Sequence, residues 1–303
     1  MNLTGWIIYN GHLSGEKFID FAQWLHKAAS RKQINTSIIK NNECLSYLDK
    51  GTLTITGKND ILPDFVLFTD KDIYLARQFE MLGIRVFNSA ETIAVSDDKI
   101  ATYQTLAKHG LAIPKTIIGP KIFPGAELDA RFSQYAVHEL GFPLIVKEAY
   151  GSFGEQVHLI HNQDELDRCI EELNDRPFVF QAFVSSSYGR DIRLHVVGDQ
   201  VVAAMTRHAS NDFRANITAG GSMKAYTPSS TEAQLAIKAS QVLGADFAGI
   251  DLLFGEEDSP VICEVNSNAH IRNMYDATGI NVADYMIDHV IKIMNQDGGY
   301  QQC

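Results

Sequence analysis

The chain has 303 residues, of which 45% are apolar and 21% charged, and its formal net charge is −11. That length can build two or three domains, each with a core of its own. The acidic balance argues against a nucleic-acid partner or a membrane surface, both of which select for a basic face, although a local cluster of Lys, Arg and metal ions can still receive an anionic ligand inside a cleft.

Residues 1–95 alternate short apolar runs with helical patterns. "GWIIYNG" reads as a strand, 16–31 as an amphipathic helix and "DFVLFTD" as a second buried strand. "DIYLARQFEMLG" reads as a helix closed by Gly83, and "IRVFN" as a third strand. Strand–helix–strand order with continuously apolar strands predicts a small parallel sheet covered on both faces.

A second unit begins at "SDDKIATYQTLAKHGLAIPKT", with Ser96 as N-cap, Ile100, Tyr103 and Ala107 as a helical stripe, and Gly110 and Pro114 as the stop. The strands "FPLIVKEAY" and "QVHLI" follow, separated by "GSFGE", then the helix "DELDRCIEEL" and the strand "PFVFQAF". In the last third, "RDIRLHVVGDQVVAAMTRH" predicts a hairpin turning at Gly198-Asp199. A polar loop is expected over 210–227, a helix over 230–243, a second hairpin from "GIDLLF" and "PVICEVN", and a closing helix over 282–295.

The four cysteines (Cys44, Cys169, Cys263, Cys303) show neither metal-ligand spacing nor a disulfide framework, and read as buried free thiols. The N-terminus carries no basic segment followed by a long apolar one, and no run reaches membrane-spanning length. A cytoplasmic location is expected.

The chemistry concentrates in that second hairpin. Placing Phe254 opposite Val261 sets Asp251 opposite Glu264, with Cβ atoms about 5 Å apart, and Asn266 two residues on along the same face. Two carboxylates and an amide oxygen converging there call for a cation or a shared proton, and an all-oxygen set favours Mg²⁺ or Mn²⁺, ions that commonly arrive with nucleotide phosphates. The alternative is a pair of exposed acids, each with its own Lys or Arg.

Other residues bear on the same point. Lys147 lies in an apolar strand just before a glycine-containing loop; it reads as an edge or surface lysine, or as one that could reach phosphate while loop amides fold over it. Lys99 opens the 97–109 helix and could complement phosphate as well, or be a solvated first-turn lysine. Asp191, Arg193 and His195 share one strand face, which read alone is a solvated face. Arg207, Arg214 and Asn216 lie in or near the loop ending at Gly220-Gly221, where loop arginines could stabilise a transferring phosphate.

Taken in order, "FNSAETIAVSDDK", "IPKT", "LIVKEAYGSFGEQV", "FVFQAF", "GRDIR", "VVAAMTR", "DFRANITAGG", "GIDLL", "EVNS" and "TGINVADYMI" resemble the ATP-grasp ligases of the RimK type, ATP-dependent ligases that typically add glutamate. The resemblance spans about two-thirds of the chain, from Asn88 to Ala283. It implies an α/β and α+β ATP-grasp fold in three parts: a small N-terminal α/β domain at 1–96, a central lid subdomain at 97–184, and a C-terminal subdomain at 185–303 that carries the metal site. ATP would lie between the last two.

By the same resemblance, Lys99 and Lys147 contact phosphate, the backbone of Ala182 and Phe183 meets the adenine edge, and Asp191 contacts the nucleotide. Arg207 lies near the γ-phosphate, and Arg214, Ala215 and Asn216 form a nucleotide and phosphate loop. Asp251, Glu264 and Asn266 hold two Mg²⁺ or Mn²⁺ ions. Catalytic charge stabilisation falls to Arg207 and Arg214. Where related sequences carry an acid, this chain has Ala182; where they often continue Ala-Ser-Pro-Gly after the asparagine, it reads "SNAHIRNMYDATG".

The expected reaction joins a carboxylate to an amine through an acyl phosphate, adding glutamate or another amino acid to a small molecule or to a peptide or protein terminus. Its partners are those two substrates, with no nucleic acid and no membrane, and a homo-oligomer is left open. Arg272 and His270 are candidates for binding an acidic group of the substrate, and His270 and His208 are candidate bases. A kinase using the same ATP site, or an inactive nucleotide-binding regulator, are the competing readings.

Overall fold

Strand β1 (Thr4–Tyr9) is buried along all but its first residue, and helix α1 (Glu16–Arg31) returns over it, burying Phe21, Ala22, Leu25, Ala28 and Ala29 at helical spacing. The computed structural model describes residues 3–56, 61–126, 128–151, 154–215 and 221–300. With β2 (Asn35–Lys40), β5 (Phe65–Phe68) and β6 (Arg85–Phe87), β1 forms a parallel sheet in the order β2-β1-β5-β6, as the apolar runs predict. Helix α2 (Ile73–Met81) is started by Asp72, whose carboxylate accepts from the Leu75 amide at 3.1 Å.

Two features of this region escape the sequence reading. β2 is an outer strand whose "NTSIIK" has too little apolar content to announce itself. The hairpin of β3 (Leu45–Asp49) and β4 (Thr52–Thr56) has one strand exposed throughout, so no burial pattern marks it.

The second unit opens differently from the expectation. Helix α3 (Ala90–Asp97) is capped by Ser89, and α4 (Lys99–Lys108) by Asp98, which accepts from the Ile100 and Ala101 amides at 2.8 and 3.2 Å. Ser96, expected as the cap, lies inside α3. A carboxylate directly preceding the first turn is the better placed acceptor for the free amides of α4.

Strands β7 (Thr116–Ile118), β8 (Leu144–Glu148), β9 (Val157–Ile160) and β10 (Phe178–Ala182) form an antiparallel sheet in the order β7-β10-β8-β9. Helices α5 (Ala130–Leu140) and α6 (Gln163–Leu173) cover the face bearing Leu144, Val146, Phe178 and Phe180. By alternation, Lys147 and Gln181 fall on the opposite face.

The C-terminal sheet comprises β11 (Arg190–Val197), β12 (Gln200–His208), β13 (Ser222–Ala225), β14 (Phe247–Phe254) and β15 (Pro260–Asn266), in the order β13-β12-β11-β14-β15. β13 falls within the stretch expected as a polar loop. Ile192, Leu194, Val196, Ile250, Leu252 and Val265 share a core with the apolar side of α4 and with α7 (Ser230–Val242). At the edge of the opposite face, Val197, Ala203, Met205 and Phe247 join α1, α8 (Arg272–Thr278) and α9 (Val282–Tyr300) in a second core.

That second core unites the first and last sheets. Asn88, fully buried, accepts from the Asp246 and Phe247 amides at 2.7 and 3.2 Å and donates to the carbonyls of Phe247 and Ser267 at 2.8 and 3.0 Å. Ion pairs Arg31–Asp284 and Lys32–Asp288 tie α1 to α9. Among the described residues no helix is long and apolar enough to cross a membrane.

Candidate active site

The β14–β15 hairpin brings Asp251 opposite Glu264, as expected, but by another route. Phe254 pairs with Pro260 and not with Val261, and a bulge at Cys263 restores the register at Asp251. The extra residue bends the strand and re-aims neighbouring side chains. The opposed acids do not depend on a metal to coexist. Asp251 receives Arg193 in a two-pronged pair, 2.6 Å at each oxygen, and Arg207 Nη2 at 2.9 Å, while Glu264 has Lys99 at 3.9 Å.

The β11 face is buried, not solvated. Asp191 is 7% exposed and His195 3%, and Arg207 forks onto Asp191 at 2.7 and 2.6 Å. Asp191, Arg207, Asp251 and Arg193 thus form a continuous ion chain across β12, β11 and β14. Burial pushes both acids up. Asp251, with two guanidiniums, is nevertheless held down at about 2, whereas Asp191, with one, remains raised. Burial works against the Arg207 charge, but Asp251 and Asp191 more than offset it.

Lys147 is 6% exposed and donates to Tyr103 Oη at 3.1 Å, with Cys263 Sγ at 3.7 Å. Tyr103 in turn donates to the Cys263 carbonyl at 2.7 Å. Burial disfavours the Lys147 ammonium, yet Cys263, Tyr103 and Glu264 hold it above the usual lysine value. Lys99 is lowered, by burial first and with Lys147 adding to it, while Glu264 opposes. Tyr103 was legible only as one member of a helical apolar stripe; nothing in the pattern shows that its hydroxyl would bridge Lys147 and β15.

The glycine loop after β8 is held at both ends. The Gly151 carbonyl accepts Lys99 Nζ at 3.3 Å and the Gly154 carbonyl accepts Arg214 Nη1 at 2.5 Å; Ser152 and Phe153 lie outside the described residues. At Gly151, φ is +150° and a Cβ would sit 2.3 Å from Gln156 Oε1, so glycine is required there. Arg214 also forks onto Asp212, Ala215 beside it is buried, and Asn216 lies outside the described residues. At the linker, the Ala182 amide donates to Lys115 O at 2.8 Å. The Ala182 amide is therefore already paired.

The segment after Asn266 turns toward the N-terminal unit. Arg272 is the first residue of α8; it forks onto Asp20 of α1, and its guanidinium lies 5.2 Å from the Trp24 ring centre. Binding a substrate carboxylate would require it to leave Asp20. His270 packs between Phe18 and Phe21, each ring centre 5.7 Å away, and burial, aided by Lys17 and Arg193, lowers it to about 4. His208 is exposed at the end of β12, paired in register with Arg190.

A hard divalent cation fits this set. Asp251 uses three of its roughly four lone-pair positions, leaving one on Oδ1. Glu264 is 35% exposed in its side chain. Asn266 commits its amide nitrogen to a long contact with the Gly249 carbonyl, 3.5 Å, which leaves the amide oxygen as the group for a cation. Among the described residues no group of three His, Cys, Asp or Glu side chains is arranged to hold a metal, so two carboxylates and an amide would need water or phosphate oxygens to complete a shell.

A buried and a half-buried lysine beside a held glycine loop, near opposed acids on a hairpin, between two antiparallel sheets, define an ATP-grasp fold. The structure superposes on the ATP-grasp ligase PsnB, solved with a minimal precursor, Mg and ADP, with a TM-score of 0.70 over 96% of this chain and 98% of that one, at 16% identity. The model of the RimK-like ATP-grasp domain matches residues 96–290, and the chain belongs to that family. It is 34% identical to human N-acetylaspartylglutamate synthase A over 278 residues, 88% of this chain and 68% of that protein. It is 32% identical to a probable alpha-L-glutamate ligase of Cellvibrio japonicus over 225 residues, 73% and 72% of the two chains. The protein is an ATP-grasp ligase, an enzyme that joins a carboxylate to an amine.

Proposed function

We propose that the amine is glutamate or a similar amino acid, that the carboxylate belongs to a small molecule or a peptide, and that ATP is used with Mg²⁺ or Mn²⁺ in the cytoplasm. The carrying observation is Lys99 beside Glu264 and Lys147 beside the adjacent Cys263, on the hairpin that opposes Asp251 and Glu264, within a chain whose relatives are named for glutamate-containing products or glutamate ligation. The three-part division at residues 96/97 and 184/185 is part of this reading.

A substrate carboxylate oxygen attacks the γ-phosphorus of ATP, the bond to the ADP oxygen breaks, and an acyl phosphate forms. The amine then attacks the acyl carbon, loses a proton to solvent, and inorganic phosphate leaves with the bonding electrons. Lys147 and Lys99 bind phosphate oxygens. Arg207, kept charged by its two aspartates, stabilises negative charge as it develops. Arg214, Ala215 and Asn216 border the phosphates, Asp191 orients Arg207 and lies beside the nucleotide, and the Ala182 carbonyl and Phe183 meet the adenine. Asp251, Glu264 and Asn266 would hold the cation, which neutralises phosphate charge and aligns it for transfer.

The test is incubation of the purified protein with ATP, Mg²⁺, L-glutamate and a pool of carboxylates. ADP release requiring both a carboxylate and an amine, with a new amide in the mass spectrum, supports the reading. ADP release with a hydroxyl compound alone indicates a kinase.

A further inference from the structure

An amino acid that enters as the amine keeps its own carboxylate, and that group must be accommodated beside the phosphates of ATP. A guanidinium is the natural partner, because its planar fork matches a carboxylate. Among the arginines described around the site, Arg207 is held by both Asp191 and Asp251, Arg214 by Asp212 and the Gly154 carbonyl, and Arg272 by Asp20. Arg193 differs in the identity of its partner: its one ion-pair partner among the described residues, Asp251, is itself a proposed metal ligand, and the Arg193 side chain is 17% exposed.

Its position suits the role. Arg193 stands opposite Asp251 in the β11–β14 ladder, and its Nε lies 3.8 Å from where a Cβ on Gly249 would be. Gly249 pairs with Asn266 and abuts Ala269, at the start of the segment that departs from the usual family sequence. Arg193 therefore borders the proposed metal ligands on one side and the post-strand segment on the other.

The charges supply the switch. Asp191, Asp251, Arg193 and Arg207 sum to zero without a cation. A dication on Asp251 competes with both guanidiniums, but only Arg207 keeps a second carboxylate if it yields. We propose that Arg193 exchanges partners: it holds Asp251 in the metal-free site, and binds the carboxylate of the amino-acid substrate once a cation claims Asp251. This rests on the ligase reading above.

The experiment measures two quantities on the full chain carrying Arg193→Met. Mn²⁺ affinity is followed by paramagnetic resonance without turnover, and KM is measured for L-glutamate and for ATP. Removing a competing cation should tighten Mn²⁺ binding by about 10-fold, raise the KM for L-glutamate by about 10-fold or more, and leave the KM for ATP within about threefold. An arginine that merely braces Asp251 predicts the opposite sign, weaker Mn²⁺ binding, and that result or an unchanged affinity overturns the exchange, as does an unchanged KM for L-glutamate.

If the methionine variant fails to fold, Arg193→Lys decides. Retaining the charge but not the fork should hold Mn²⁺ affinity within about threefold while the KM for L-glutamate still rises; an unchanged KM overturns the proposal. Should the wild type release no ADP with any carboxylate and amine, the ligase reading fails. The sign of the Mn²⁺ effect then decides the partner exchange by itself.

Discussion

Asp251 and Glu264 stand opposite one another across β14 and β15, and each has a basic partner of its own: Arg193 and Arg207 on the first, Lys99 on the second. The pair is therefore charge-balanced before any cation arrives. The presence of facing acids does not by itself require a metal; the free oxygen donors and the neighbouring lysines favour one.

Glu264→Ala tests the donor set. Because its side chain is 35% exposed and its one ion pair is at 3.9 Å, the thermal midpoint should hardly move. Mg²⁺-dependent ADP release should fall by roughly 100-fold or more. Wild-type turnover in the variant would remove Glu264 from the site.

Lys147→Met separates a phosphate ligand from a structural lysine. Tyr103 retains its bond to the Cys263 carbonyl in the variant's absence of an ammonium, so the fold should persist, while the KM for ATP rises by about 10-fold or more. Unchanged nucleotide affinity with a lower melting temperature would assign Lys147 to packing alone.

His195 and His270 make stability acid-sensitive. Burial, with Arg193 among the further causes in both, lowers their folded-state values to about 3 and about 4. The unfolded chain protonates them near pH 6.5. Their contribution is thus fully present above about pH 6.5 and is lost as pH falls from there toward 4, by an amount on the order of a few kcal/mol. Melting temperatures measured from pH 7 to pH 4 should fall steeply in the wild type and less so in His195→Phe, which gives up no hydrogen bond at Nε2. Parallel curves for the two proteins would contradict this.

Arg272 and Asp20 should behave as a unit. Arg272→Ala, Asp20→Ala and the double variant are expected to lower the melting temperature non-additively, the double scarcely more than either single. The KM for both substrates should stay at the wild-type value. A raised substrate KM in Arg272→Ala alone would return Arg272 to the substrate site.

The local patterns explain which features were legible. The helix over 16–31, the hairpin turning at Gly198 and the parallel character of the first sheet follow from short-range periodicity and turn chemistry, whereas the Asp251–Glu264 pairing depends on a bulge at Cys263 that no local pattern shows. The weakly apolar β2 and the exposed β3 go unmarked in the pattern because outer strands need less apolar content, and Asp98 caps α4 in place of Ser96 because two helices abut where the pattern predicts one.

What the sequence determined by itself is the more apolar elements and the chemical types on each: a lysine in an apolar strand, acids in a hairpin, alternating Asp191, Arg193 and His195. Those are properties of spacing along one chain. Only the tertiary structure decided the partners. Arg193 meets Asp251 from a strand 58 residues away, Tyr103 reaches Lys147 from a helix 44 residues earlier, and Arg272 is claimed by Asp20 from 252 residues away. A strand face reads the same in sequence whether water or a second arginine lies over it. Burial, which strengthens the Arg193–Asp251 and Tyr103–Lys147 contacts, is set by what packs against the face, and no local pattern carries that information.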